Sequence, residues 1–187
     1  MSDLQASLEA VRRFLDHVAQ LHERLAAGRI AANVPVELLD PDWSLEEAVA
    51  AYLPASHAAL EEAAQGLFYS LPVAFDPAES IGPYLATVDR DPEGEPYRFL
   101  DLGAQIATHL YGENDPDLVA AVLAEPAYAV SRFAHCEYQT ALSLRLKARL
   151  DAIAPRGTPR HFVVNTGAEA VENAMKAVLL RRVRAAE

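Results

Sequence analysis

The sequence predicts an α/β protein, with a helical N-terminal extension, a small β-hairpin and helix region, and a closing strand–turn–helix unit. Three observations predict it. The first third is rich in Ala, Glu and Leu and carries apolar residues at helical spacing. After Leu67 come β-branched and aromatic runs broken by Pro and Gly turns. Beyond Pro159 an apolar run, a short polar turn and a helical pattern follow one another directly. These divide the chain at 1–66, 67–158 and 159–187, with no internal repeat and no low-complexity tract. A length of 187 residues suits one domain of roughly 150 residues with an appendage.

The elements follow in order. Ser2 and Gln5 have capping-box spacing. Leu4, Leu8, Val11, Leu15, Val18, His22 and Leu25 then alternate four and three apart, which puts them on one stripe of a helix that Gly28 stops. The stripe either covers the body of the same protein or pairs with a partner helix. A linker runs from Ile30 to Trp43 through Pro35 and Pro41. Ser44 and Glu47 form a second capping box, opening a helix to Leu53. Pro54 breaks it, and Ser56 is the candidate cap of another helix running to Gly66. Tyr84–Val88 and Tyr97–Leu100 read as strands joined by the turn formers of Asp89–Pro96. Asp115 caps a helix with Pro116 at its first position, running to about Glu125. A longer helix covers Tyr138–Ile153, with Leu142, Leu146, Leu150 and Ile153 on one face and Pro155 and Gly157 ending it. His161–Val164 reads as a buried strand and Asn165–Ala168 as a tight turn. Glu169–Arg184 reads as a helix with Val171, Ala174, Met175, Val178 and Leu179 apolar.

Composition excludes several classes. Sixteen basic against 27 acidic residues leave a net charge of −11. Such a surface does not displace counterions from nucleic-acid phosphates, nor does it form a polybasic membrane patch. The one cysteine, Cys136, allows no internal disulfide and fits a reducing cytoplasm. No apolar run reaches the roughly 18 residues of a membrane span, and the start lacks a secretory pattern.

The closing unit carries the chemistry. The opening of a helix presents amides with no intrahelical partner, and the helix dipole adds positive charge there. A strand feeding directly into a helix is therefore a ready anion site, above all for phosphate. Gly167 lets a ligand approach the backbone, Thr166 adds a hydroxyl donor, and Ala168 is small. Glu169 and Glu172 support the first turn provided that their carboxylates point away from the anion. Spacing alone favours an ordinary strand-to-helix connection with Thr166 as N-cap. Neither GxGxxG nor GxxxxGK[ST] is present.

The residues from Phe162 to Lys176, Phe-Val-Val-Asn-Thr-Gly-Ala-Glu-Ala-Val-Glu-Asn-Ala-Met-Lys, resemble the phosphate-loop signature of class III aminotransferases, which are fold type I enzymes using pyridoxal phosphate. Upstream, Tyr97–Gly103 resembles that family's Y-L-D strand, and Gly112–Pro116 its G-H-x-H-P segment with Glu113 and Asp115 in place of the histidines. Leu142–Pro155 resembles the helix before the phosphate strand. The resemblance runs in order from about Tyr84 to Arg181 and does not cover Met1–Gly66. It implies that Thr166, Gly167 and Ala168 hold the phosphate of pyridoxal 5'-phosphate, and that Leu102–Tyr111 lies near the substrate entrance. It also implies that 159–187 begins a large domain with helices packed on a mainly parallel sheet. The implied enzyme is a cytoplasmic homodimer that moves an amino group from an amine or amino acid to a 2-oxo acid. A related aminomutase, or a non-catalytic helical interaction module on a remnant scaffold, are the alternative readings.

The chemistry also needs a Schiff-base lysine and an acid for the pyridinium nitrogen. Only Lys147 and Lys176 are present, both within helical patterns, and no catalytic residue is assigned. The chain is thus expected to be the N-terminal part of a longer enzyme, inactive alone. No metal site is expected, because His17, His22, His57, His109, His135 and His161 lack ligand spacing. Cys136 is expected to be a buried or half-buried thiol. No Ser stands in G-x-S-x-G, and Arg181, Arg182 and Arg184 suit a helix C-terminus.

Overall fold

The computed structural model describes residues 2–40, 42–63, 72–104, 108–125, 139–157 and 160–186. It divides into two compact units, Met1–Glu125 and Pro126–Glu187.

The first unit opens with α1, Ser2–Ala26, which ends as predicted where Gly28 turns at φ +67°. The Ser2 side chain of the expected capping box lies outside the described residues. The apolar stripe has two fates. In its second half Val18 is buried and His22 and Leu25 are half-buried, while Leu21, beside the stripe, is buried and packs with Ile30 and Ile81, flanked by Leu25 and Tyr84. In its first half Leu4, Leu8 and Val11 are exposed.

A 3-10 turn, Val36–Leu39, interrupts the expected linker. Next comes α2, Leu45–Tyr52, opened by the predicted Ser44/Glu47 capping box. Helix α3, Pro54–Ala63, differs from expectation at its start. Pro54 begins it, since a missing N–H costs nothing at a first helical position. Ser56 lies inside the first turn and is not the cap. The amides of Ala55 and Ser56 donate instead to the buried carboxylate of Asp89, at 2.6 and 3.0 Å, and the Ser56 hydroxyl donates to it as well. That acceptor stands 33 residues beyond Ser56, where local spacing gives no signal.

Asp89 belongs to β1, Tyr84–Arg90, which pairs antiparallel with β2, Pro96–Leu100. The register sets Leu85 against Phe99 and Ala86 against Arg98, with a bulge before Arg90. The predicted loop is closed by Asp91, whose carboxylate accepts from Glu95 N at 2.8 Å. The hairpin lies on the α2 region through a core of Leu38, Ala48, Val49, Leu53 and Val73, with Phe75 edge-on to Phe99 at 5.9 Å. Buried Arg98 lies 3.5 Å from Glu95 and 3.8 Å from Glu79. Burial pulls its pKa down against the pull of those carboxylates. Asp115 caps α4, Pro116–Ala124, through Asp117 N and Leu118 N, as predicted.

The second unit holds two helices among its described residues. The first, α5, is Ala141–Ile153, opened by a reciprocal Thr140/Ser143 capping box; the expected start at Tyr138 lies outside the described residues. The second, α6, is Gly167–Ala186, two residues earlier than the expected start. His161–Val164 does not form the expected strand, and Phe162 and Val163 are 76% and 70% exposed. The reason is pairing: a strand needs neighbours for its backbone N–H and C=O groups, and the described residues of this unit include no strand. His161 instead meets Asp151 of α5 through Nε2 at 2.8 Å. Leu146 and Ile153 of α5 and Val171, Met175, Val178 and Leu179 of α6 are all exposed. Among the described residues the only sheet is the β1–β2 hairpin.

Candidate functional site

Thr166 and Glu169 stand three apart, and that spacing organises the turn before α6. Thr166 Oγ1 accepts from Glu169 N at 3.2 Å. The Glu169 carboxylate reaches back and accepts from Thr166 N at 3.1 Å and from Asn165 N at 2.9 Å. This is a reciprocal capping box. Its T-x-x-E signal is present in the sequence, although Glu169 is expected there only as a dipole partner. The condition placed on that carboxylate is not met, because it lies over the turn rather than away from it.

The capping box decides which donors remain. Gly167 and Ala168 occupy the first two positions of a 20-residue helix, and their amides have no hydrogen-bond partner among the described residues. The Thr166 hydroxyl accepts once and keeps its own hydrogen to donate. Thr166, Gly167 and Ala168 are all exposed. A Cβ built on Gly167 meets nothing within 4 Å, so the space over the backbone is open. Two amides, a hydroxyl and a helix dipole form a donor set that suits a phosphate ester. The Glu169 carboxylate opposes an anion there and ties the turn together through Asn165 N and Thr166 N.

Both lysines are engaged on the surface. Lys147 pairs with Asp151 at 2.6 Å and Lys176 with Glu172 at 2.6 Å, each one helical turn apart. Hydrogen bonds from Lys147 and then His161 hold the Asp151 carboxyl below its ordinary pKa.

The segment expected near a substrate entrance borders a cleft of about 280 Å³ in the first unit, lined by Gly82, Asp101, His109, Tyr111 and Glu113 among others. His109 Nδ1 lies 3.0 Å from Glu113 Oε1. Gly112, at φ +80°, passes so close to Gly82 that a Cβ would stand 2.5 Å from the Gly82 oxygen. The two backbones bond reciprocally between Gly82 and Glu113, at 2.9 and 2.8 Å. The positions where this chain departs from the G-H-x-H-P pattern are thus used structurally, Glu113 in this bridge and Asp115 as the cap of α4. Residues 105–107 lie outside the described residues.

The other described histidines are also engaged: His17 with Glu79 and His22 with the Asn114 carbonyl, both distant in sequence, and His57 with Glu61 one helical turn away. His135 and Cys136 lie outside the described residues. Among the described residues no group of three His, Cys, Asp or Glu comes together, and no helix is long and apolar enough to cross a membrane.

The family model described as aminotransferase class-III matches residues 73–186, more than half of the chain, and the chain belongs to that family. Enzymes of the family transfer amino groups and generally depend on pyridoxal phosphate. No solved structure matches the chain.

Proposed function

We propose that this chain supplies the phosphate-holding part of an aminotransferase that moves an amino group from an amine or amino acid to a 2-oxo acid. The observation that carries the reading is the pair of amides on Gly167 and Ala168 that have no partner among the described residues, beside the Thr166 hydroxyl, at the start of a 20-residue helix. In this reading those three groups donate to the phosphate of pyridoxal 5'-phosphate, and α6 adds its dipole. The bound cofactor supplies an electron sink for the substrate carbon that carries the amino group. The Thr166/Glu169 box fixes the direction in which the two amides point, so the donors are set before the ligand arrives. The cleft at Gly82, Asp101 and His109 is read as part of the substrate entrance.

The pairing of Lys147 and Lys176 with acids on their own helices supports a further part of the proposal. A lysine for covalent attachment of the cofactor comes from outside these 187 residues, and the chain alone does not turn over. The complete enzyme is read as a fold type I homodimer of the cytoplasm, with 159–187 opening its large domain. The single cysteine suits that compartment.

Equilibrium dialysis of the chain against pyridoxal 5'-phosphate and against pyridoxal tests the reading. The phosphate ester is expected to bind and the phosphate-free compound to bind at least tenfold more weakly, with Thr166→Ala weakening only the former. Equal retention of both compounds sinks the proposal.

A further inference from the structure

The wall of the cleft in the first unit is held by residues that do not line it. Ile81 N donates to the Tyr84 carbonyl at 2.9 Å and Tyr84 N to the Ile81 carbonyl at 3.0 Å, closing a tight turn with Gly82 and Pro83 at its tip. That tip lines the cleft. Two other lining residues are tied to it: Asp101 N donates to the Pro83 carbonyl at 2.8 Å, and Glu113 exchanges two backbone bonds with Gly82. The ends of the turn rest on the second half of α1 and on the chain just after it. Ile81 is fully buried against Leu21 and Ile30, and Leu25 and Tyr84 flank the same cluster. A Cβ built on Gly82 would stand 3.0 Å from Leu25 Cδ2, so the helix also presses on the tip.

One hydrogen bond joins α1 to the far side of the Gly82–Glu113 bridge. Half-buried His22 places Nε2 2.6 Å from the Asn114 carbonyl oxygen, 92 residues away in sequence. A carbonyl oxygen only accepts, so the imidazole donates and carries a proton on Nε2. Asn114 stands between Glu113 and Asp115, the cap of α4. Its φ is +50°, a left-handed conformation that Asn tolerates. Its side-chain amide donates to the Pro77 and Ser80 carbonyls at 2.8 and 2.7 Å. With φ and the side chain set, ψ is the remaining soft angle of this joint. The bond from His22 holds the peptide that ψ turns.

We propose that α1, which lies outside the matched residues 73–186, is a strut of the cleft and that His22 is its positioning residue. The His22 N–H holds Asn114, and Asn114 holds the end of the Gly82–Glu113 bridge. The bridge in turn sets where the Glu113 carboxylate stands, 3.0 Å from His109 Nδ1 in the cleft. His22 acts through this chain of contacts and does not itself line the cleft. The inference rests on the reading of the cleft as part of the substrate entrance, and it gives the N-terminal extension a part in shaping that entrance.

Amide exchange and imidazole nitrogen resonances of the isotopically labelled whole chain test it. In the parent, neutral His22 should carry its proton on Nε2 and not on Nδ1. His22→Leu removes the donor. It should speed amide exchange at Gly82 and Glu113 about tenfold and move the ring resonances of His109, while the amides of α2 keep their parent rates. His22→Gln keeps an N–H donor and should restore both readouts. A residue that merely stabilises the fold would instead speed exchange at Gly82 and in α2 alike. The proposal is overturned by unchanged exchange at Gly82 and Glu113 in His22→Leu, by equal acceleration throughout the first unit, or by a glutamine variant that behaves as the leucine one. A neutral parent His22 with its proton on Nδ1 overturns it without any variant. Phosphate binding at Thr166, Gly167 and Ala168 is measured on other resonances of the same chain. A silent phosphate titration beside a responsive wall removes the cofactor reading alone, and the converse removes the strut alone.

Discussion

Asp89→Ala should be among the most damaging single changes in the first unit. Asp89 is 3% exposed and accepts from Ala55 N at 2.6 Å, from Ser56 N at 3.0 Å and from the Ser56 hydroxyl. Truncation leaves the hydroxyl another acceptor, the Ala74 carbonyl at 3.3 Å, but leaves both amides without one. The buried Ser56 amide costs about 1–3 kcal/mol without an acceptor and the partly buried Ala55 amide less, which gives roughly 2–4 kcal/mol with the lost cap included. That is a large share of the roughly 5–15 kcal/mol that holds a domain folded. Asp89→Asn keeps one acceptor oxygen and should lose about half as much. Trp43 is the only tryptophan and lies 5.8 Å from Tyr52 of α2, so its fluorescence reports on this unit. Urea unfolding followed by Trp43 should show a lower midpoint at an unchanged slope. A loss under about 1 kcal/mol for Asp89→Ala would show that the cap across β1 and α3 does not stabilise the unit as argued.

Two further outcomes follow from the geometry. Gly112→Ala meets both a φ of +80° and the Gly82 backbone at 2.5 Å, whereas Gly94→Ala meets a φ of +87° in open space. The first should cost over about 3 kcal/mol and speed amide exchange at Gly82 and Glu113, and the second only about 1 kcal/mol; equal costs refute the close-approach argument. Glu95 is held below its ordinary pKa chiefly by the Arg24 hydrogen bond. Its folded pKa lies below its unfolded one, so its contribution is complete above the unfolded value and fades as pH falls through the folded value. Solvent screening at this partly exposed pair keeps it below about 1 kcal/mol. The advantage of the parent over Arg24→Gln in thermal melts should be full near about pH 7 and shrink as pH falls below the ordinary glutamate range of about 4; a difference that does not change with pH contradicts the assignment.

The legible parts of this fold are those fixed by neighbouring residues. The Ser44/Glu47 box, the Asp115–Pro116 cap and the turn at Gly28 all act within a few residues, and the structure holds each one. Where a partner comes from far away the sequence is silent. Asp89 reads locally as a turn former, yet it caps a helix 33 residues earlier. His161–Val164 has the composition of a buried strand, but composition cannot supply the neighbouring strands that such a segment needs. The alternation in α1 gave the helix and its stripe, though not the point near Val18 where packing on the body begins. At the candidate site, Thr166, Gly167 and Ala168 were readable as a helix opening with anion-binding chemistry. The partition of donors was also written there, in the three-residue spacing of Thr166 and Glu169, but it became visible only with the carboxylate seen over the turn.

The proposed phosphate site consists chiefly of two backbone donors, Gly167 N and Ala168 N, that have no partner among the described residues. Amide resonances of isotopically labelled chain, followed during titration with pyridoxal 5'-phosphate and in parallel with inorganic phosphate, address them individually. The account predicts saturable shifts largest at Gly167 and Ala168, with smaller ones at Thr166, and the same pattern for both ligands. Movement of other resonances while Gly167 and Ala168 stay still would contradict it.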